Sequence, residues 1–162
     1  MNGRSIHGGI MHKITLDTAQ QLTGLSRRSL RRRLATAMLR QERSATLERG
    51  YVPLEALRGD IPVALVAEDD TAIVRADGGD PEAQNDLGLF FMGEGQYDRA
   101  LPWLQKAAEQ EYAEAMYWLG RCHVAGQGVE QDEDAGLEWI RRAAERGHGI
   151  ARRQMAALGK AY

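Results

Sequence analysis

Apolar residues in the first 60 positions recur at helical spacing in two short stretches. In residues 15–22, Ala19 and Leu22 are three apart and would share one inward side of a helix. Either Thr15 or Asp17 can cap the start of this helix, because both side chains accept hydrogen bonds from free N–H groups. The pattern therefore predicts a first helix that begins near residue 15.

The second stretch begins at Ser26, a good N-cap residue, and places Leu30 and Leu34 four positions apart on one face. Between the stretches, Gly24 can adopt the positive φ with which helices often end, and Leu25 would fill the corner. A helix, a tight turn with glycine and a second helix are the plan of a helix-turn-helix.

Arginines occupy the side of the second helix that faces away from its leucines. At about 100° per residue, Arg28 and Arg32 point almost opposite to Leu30 and Leu34. The flanks carry further polar residues, Ser29, Arg31 and Arg33, and Arg27 precedes them in the first turn. A solvated basic face is an alternative explanation of such a run, but the helix and turn that precede it favour a binding surface.

Residues 19–34, A-Q-Q-L-T-G-L-S-R-R-S-L-R-R-R-L, resemble the helix-turn-helix of bacterial regulators. The resemblance is to the factor for inversion stimulation, enhancer-binding activators, mercury-resistance regulators and excisionases. It implies that double-stranded DNA is a partner. Arg28, Ser29 and Arg32 would face base edges, and Ser26 would lie at the capped start of the same helix. The remaining arginines would hold phosphates, namely Arg27, Arg31, Arg33 and, if a wing exists, Arg43 and Arg49.

A small wing is expected after the second helix. Two extended pieces around Glu48-Arg49-Gly50 would form a hairpin, and Pro53 would open a short helical turn. This order is similar to the excisionase and mercury-resistance-regulator plan. A plain loop between helices remains the alternative.

Beyond the predicted boundary at residues 59–62, the chain repeats itself. Residues 80–88, 112–120 and 148–156 align with one another, the last in decayed form. Each of the first two is followed by a partner segment, residues 103–109 and 139–145, of which each begins with Trp and ends in Ala-Ala-Glu. Repeats of this length predict stacked helical hairpins.

The motifs A-x-x-x-L-G, G-x-G-V-x-x-D and W-x-x-x-A-A-E-x-G in residues 115–147 resemble Sel-like repeats, which are related to tetratricopeptide repeats. The resemblance spans about residues 69–158 and implies a short α-solenoid whose first helices line a concave face. The side chains expected on that face as anchors for a protein partner are Asn85, Leu89, Tyr117, Arg121 and Arg153. Tyr117 covering a capping helix is the alternative at that position. The capping helix is expected at residues 61–67, and Trp103 and Trp139 are expected in the core.

The net charge changes sign at the same boundary. Residues 1–59 carry 11 Lys and Arg against 4 Asp and Glu, whereas residues 60–162 carry 10 against 19. The net charges of +7 and −9 are hidden in the overall value of −2. A basic half can approach polyphosphate, while an acidic half is repelled by it, so two modules with different partners are expected.

The sequence contains no arrangement typical of catalysis, a cofactor or a metal. Cys122 and His123 are adjacent, so on a helix they point about 100° apart and cannot act as nucleophile and base. Residues 130–134 are acidic but lack calcium-loop spacing, and are better explained as a helix N-terminus. A single cysteine and the lack of a secretory signal or apolar span favour a cytoplasmic protein that does not enter membranes.

The predicted fold class is mainly α, a helix-turn-helix followed by a short α-solenoid. The expected domains are a disordered lead-in at 1–12, a DNA-binding-like domain at 13–59, a capping helix or linker at 60–79 and a repeat domain at 80–162. The expected function is DNA-binding regulation, with the repeats mediating protein binding or homodimerisation and no enzymatic activity. The alternative is an adaptor that does not bind DNA and uses its basic domain to dock an acidic protein.

Overall fold

The computed structural model describes residues 12–40, 50–63 and 69–159, of which residues 37–40 are described for their backbone alone. The chain divides into two compact units, residues 1–65 and 66–162. Most described residues are helical, and the short strands form one two-stranded sheet. The prediction of a mainly α protein with a short helical solenoid is confirmed.

The first unit begins with strand β1, Lys13–Thr15, followed by helices α1, Leu16–Thr23, and α2, Arg27–Arg40. Thr15 caps α1, because its hydroxyl accepts a hydrogen bond from the Thr18 amide. Gly24 ends α1 in the left-handed conformation at φ 70°, as a glycine in this turn predicts. The two helices and the glycine turn between them are therefore confirmed.

A second strand, β2, Tyr51–Pro53, pairs antiparallel with β1, so that Ile14 lies opposite Val52 and both are buried. The described partner of β2 is β1, and the predicted wing hairpin is not tested, because its other half precedes Gly50. That segment lies outside the described residues. The three residues of β1 are too few to show an alternating pattern in the sequence. In the structure, the burial of Ile14 beside Val52 explains why the two strands pair.

A 3-10 helix, Leu54–Asp60, follows β2 directly, with Pro53 as its N-cap residue. The core of this unit comes from every described element, and its fully buried members are Ile14, Ala19, Leu22, Leu30, Leu54 and Leu57, with Leu34 and Val52 almost as deep. Leu30 and Leu34 thus hold α2 against the unit by the face that the sequence pattern predicted.

The second unit contains α3, Asp69–Asp77, then α4, Pro81–Gly93, and α5, Tyr97–Glu109, then α6, Ala113–Ala125, and α7, Glu133–Glu145, and finally α8, Gly149–Ala157. Helices α4 and α5 form one hairpin and α6 and α7 the next, and each neighbouring pair along the chain packs together. The expected helix at residues 61–67 is wrong at its start, since residues 61–63 are not helical. Ile61 is extended at ψ 123° because Pro62 follows it, and the next described helix begins at Asp69.

The repeat is visible in the three turns that enter α4, α6 and α8. In each turn the N-cap residue donates its backbone N–H to the carbonyl five positions earlier, as Asp80 does to Arg75 at 3.1 Å. The residue before each cap has a positive φ, 94° at Gly79, 63° at Glu111 and 93° at Gly147. Helix α3 therefore ends in the same way as α5 and α7, the second helices of the two described hairpins.

Glycines allow the helices of each hairpin to approach closely. A Cβ at Gly120 would lie 2.6 Å from the carbonyl oxygen of Gly136, and one at Gly88 would lie 2.7 Å from the Leu104 side chain. Trp103 is fully buried in the core, as expected, whereas Trp139 is only partly buried and stacks under Arg142. Close backbone contact at Gly120 fixes α6 against α7.

Candidate partner-binding surfaces

Helix α2 presents a row of exposed arginines. Ser26 caps the helix, since its hydroxyl accepts from the Ser29 amide at 3.2 Å. The side chain of Ser29 is half-buried and bonds the Ser26 hydroxyl. The arginines of the first two turns are all exposed, namely Arg27, Arg28, Arg31, Arg32 and Arg33.

Two of these arginines are engaged within the unit. Arg27 donates to the Gln20 side chain of α1 at 2.9 Å, and Arg33 forms an ion pair with Asp60 at 2.8 Å. These contacts tie α2 to α1 and to the 3-10 helix. They leave Arg27 and Arg33 less available to a partner than the sequence pattern predicted.

The other three arginines of this row form one unneutralised surface, here called the arginine face: Arg28, Arg31 and Arg32. Their spacing of three and four places them on one side of α2. Across residues 12–40, 50–63 and 69–159, no carboxylate lies within ion-pair distance of them. Such a surface attracts anions and binds carboxylates or phosphates bidentately. The remaining candidates, Arg43 and Arg49, lie outside the described residues.

In the second unit, the five predicted partner-binding residues differ in exposure. Asn85 and Tyr117 are 3% and 4% exposed, which corrects the expectation that they project toward a partner. Leu89 is half-buried, and Arg121 and Arg153 are exposed. The surface that a partner can reach on α4, α6 and α8 therefore includes Leu89, Arg121 and Arg153.

Tyr117 is buried because the ring of His148 lies on it. Their ring centroids are 4.4 Å apart, with 22° between the ring planes. The Tyr117 hydroxyl accepts a hydrogen bond from Arg121 at 3.1 Å, and the guanidinium lies 5.9 Å from the ring centroid. One aromatic side chain thus holds together α6, the start of α8 and an exposed cation.

His148 is fixed by both ring nitrogens. Its Nδ1 accepts from the Ala151 amide at 3.2 Å, so the residue caps α8. The hydrogen of the neutral ring is then on Nε2, which donates to Glu114 at 2.9 Å. The other carboxylate oxygen of Glu114 accepts from the Trp118 indole at 2.7 Å. We call Glu114, His148, Tyr117 and Arg121 the α6 cluster.

Glu114 and His148 were not among the residues predicted for this surface. A signal was present for His148, because it aligns with Asp80 and Tyr112, which precede the other two first helices. All three prove to be N-cap residues. The histidine was treated as part of a decayed repeat, although its ring can replace the usual capping oxygen.

Carboxylates also surround Tyr112, the N-cap residue of α6. Burial raises the pKa of the Tyr112 phenol, and the nearby charges of Glu82, Asp86, Glu114 and Asp80 add to the rise. Asp80 itself is hydrogen-bonded to Arg75, which lowers the pKa of the Asp80 carboxyl. The surface next to Tyr112 therefore carries several negatively charged side chains.

Other chemistry is limited in the described part of the chain. Cys122 is fully buried, and this burial raises the pKa of its thiol. Among residues 12–40, 50–63 and 69–159, no group of three or more His, Cys, Asp or Glu side chains is arranged to hold a metal ion. No helix in these ranges combines the length and apolar character needed to cross a membrane.

Comparison with known proteins identifies the hairpins. Residues 81–112 and 113–148 match the family model of the Sel1 repeat. Both segments are similar to Sel1 repeats. The crystal structure of a Sel1 repeat protein from Oxalobacter formigenes is similar to this chain, with 25% identity and a TM-score of 0.50 over 88% of this chain and 90% of that chain. The resemblance inferred from the repeat motifs is confirmed, whereas neither finding supports the resemblance of residues 19–34 to bacterial regulators, which stays a prediction.

Proposed function

We propose that this protein is an adaptor whose second unit binds a protein partner. The observation that carries the proposal is the pair of Sel1 repeats at residues 81–148, because such repeats generally mediate protein–protein interaction. Stacked hairpins offer an extended helical surface, which suits a segment of another protein. We propose binding and not catalysis as the activity of this unit.

The first helices of the repeats supply the proposed surface. Half-buried Leu89 offers an apolar contact on α4, and Arg121 and Arg153 offer charged contacts on α6 and α8. Asn85 and Tyr117 are buried on the same two helices, α4 and α6, so the surface contacts stand on a packed part of the structure. Arginine and apolar anchors on a rigid base are typical of binding hot spots.

Affinity capture with the full-length protein tests this proposal. The wild type and the variant Leu89→Gln/Arg153→Gln serve as baits in extract from the native cell, after equal thermal stability has been checked. The control bait is Gln105→Ala/Glu109→Gln, which changes exposed side chains on α5. We expect a partner retained by the wild type and the control and lost by the test variant, and retention by all three baits would contradict the proposed surface.

A second candidate function, duplex DNA binding by the first unit, is favoured by the arginine face of α2. Three unpaired guanidinium groups on one side of a helix suit a phosphate backbone, and the net charge of +7 in residues 1–59 adds long-range attraction. With one such helix per chain, useful affinity would call for a homodimer. An acidic protein is the alternative ligand for the same arginines.

Salt-dependent binding to a short fluorescent duplex distinguishes these ligands. For DNA we expect the affinity to fall with salt, and replacing Arg31, the arginine of this face that is expected on a phosphate, by Gln should make the log–log slope about 0.9 less steep. Arg141→Gln is the control, because Arg141 is paired with Glu138 and Glu145. If the folded protein does not bind the duplex at about 50 mM salt, DNA is excluded, and an acidic protein remains the candidate ligand of the arginine face.

A further inference from the structure

We propose that Arg121 anchors the partner of the repeats by binding a carboxylate, supplied by an Asp or Glu side chain of the segment that docks on α6. This inference rests on the proposed adaptor function and names the chemistry of its partner. It follows from how the α6 cluster holds one guanidinium in place and leaves it without a counter-charge.

The guanidinium of Arg121 is positioned before any partner arrives. It donates to the Tyr117 hydroxyl, and the Tyr117 ring is held by stacking on His148. His148 is itself fixed at both nitrogens, by the Ala151 amide and by Glu114. A free arginine loses side-chain conformational freedom when it binds, whereas Arg121 has already lost part of that freedom in the folded chain.

The same guanidinium lacks an acidic partner. Within residues 12–40, 50–63 and 69–159, no carboxylate lies within ion-pair distance of Arg121, whose described side-chain hydrogen bond goes to a neutral hydroxyl. Both oxygens of Glu114, the acid of the α6 cluster, are already bonded, one to Trp118 and one to His148. Arg121 is exposed, so most of its five N–H donors remain available.

These features select a carboxylate. The planar fork of arginine matches a carboxylate through two parallel hydrogen bonds, which are stronger than bonds between neutral groups. The surrounding unit is acidic, since residues 66–162 carry 10 Lys and Arg against 18 Asp and Glu, a net charge of −8. An acidic segment is repelled by most of that unit, so a productive contact at Arg121 also fixes where the segment binds.

Selection of phage-displayed random peptides on the full-length protein tests the inference. The targets are the wild type, Arg121→Gln, Tyr117→Phe and the charge-matched control Arg141→Gln, each checked for an unchanged melting temperature. We expect peptides with an Asp or Glu at one fixed position from the wild type and the control, and loss of that acidic position from Arg121→Gln.

Binding of one selected peptide, measured by fluorescence anisotropy, gives the size of the effect. Arg121→Gln should weaken binding about tenfold or more, as for a hot-spot arginine. Tyr117→Phe should weaken it severalfold at unchanged melting temperature, because the phenylalanine keeps the stack on His148 but frees the guanidinium. Selected peptides without acidic residues, or equal binding by Arg121→Gln, would overturn this inference and leave the adaptor function standing. Failure to select any peptide would count against both.

Discussion

Glu111 has a backbone conformation that its side chain does not favour. It carries φ 63° in the turn before α6, at the position that Gly79 and Gly147 occupy in the matching turns. A non-glycine residue in this region costs about 1–2 kcal/mol. The Glu111 carboxylate bonds Arg146 in the next turn, but an ion pair between exposed groups contributes only about 0–1 kcal/mol. The ion pair therefore offsets the strain in part.

Replacing Glu111 by Gly should leave the free energy of unfolding unchanged or raise it by up to about 1 kcal/mol. Glycine removes the strain and loses only the exposed ion pair. Glu111→Ala is the matched control, because it loses the ion pair and keeps the strained backbone, and it should be less stable than Glu111→Gly. Urea denaturation measures both variants, and equal losses would contradict the backbone strain at this position.

At single residues, the sequence predicted the faces set by spacing within one helix better than the contacts between helices. The exposure of Arg28 and Arg32 follows from the leucines of their own helix. The burial of Tyr117 depends on His148, a residue of another helix, and spacing within α6 carries no information about that contact. Asn85 was misjudged for the same kind of reason, because a polar side chain on a predicted outer face proves to be 3% exposed.

At the scale of elements, the repeats are held together by helices that meet at small residues. Gly120 of α6 and Gly136 of α7 face each other so closely that neither has room for a methyl group. Two backbones at this distance gain dispersion contacts that larger side chains would prevent. The Leu-Gly pair of the A-x-x-x-L-G motif marks Gly120 in the sequence, whereas none of the motifs includes its counterpart Gly136.

Gly120→Ala should therefore destabilise the protein by about 1–3 kcal/mol, as overpacked cores do. The added Cβ would meet backbone atoms of α7, which cannot move aside as a flexible side chain can. The matched control is Gly93→Ala at the end of α4, where a Cβ meets nothing within 4 Å. Thermal unfolding should show a lower melting temperature for the first variant only, and equal melting temperatures would contradict the close contact.

The N-terminus of α4 should respond to pH through Asp80. Its hydrogen bond from Arg75 lowers the pKa of the carboxyl below the ordinary value of about 3.9. Stability from this carboxylate is therefore present above that value and is lost as pH falls through the lower pKa of the folded state. Asp80→Asn keeps a capping oxygen and removes the charge, so its stability deficit at neutral pH should vanish in acid. A deficit independent of pH in urea titrations would contradict this role.

The elements that the sequence predicted well are those supported by repetition or by a cap and a turn in the right order. Helices α4 to α7 follow from two aligned copies, and α1 and α2 follow from Thr15, Gly24 and Ser26. Strand β1 was missed because three residues show no periodicity. The expected helix at residues 61–67 failed at its start, because Pro62 disfavours helical geometry at the residue before it.

At the scale of the whole molecule, two units of opposite charge carry surfaces of different chemistry. The first carries the arginine face on α2, and the second carries Leu89, Arg121 and Arg153 on the first helices of its repeats. The repeats were recognisable from sequence because several motifs recur in register. A partner is harder to predict, because its identity depends on which exposed side chains remain free after the helices have packed.

Site-specific photo-crosslinking in the native cell tests the central claim, that the first helices of the repeats form the partner surface, most directly. A photoreactive phenylalanine analogue replaces Leu89 on α4 in one full-length variant and Gln105 on α5 in the control. Irradiation should give a discrete adduct with one protein from position 89 and none from position 105. Adducts of equal yield from both positions, or none from position 89 in a folded variant, would contradict the account.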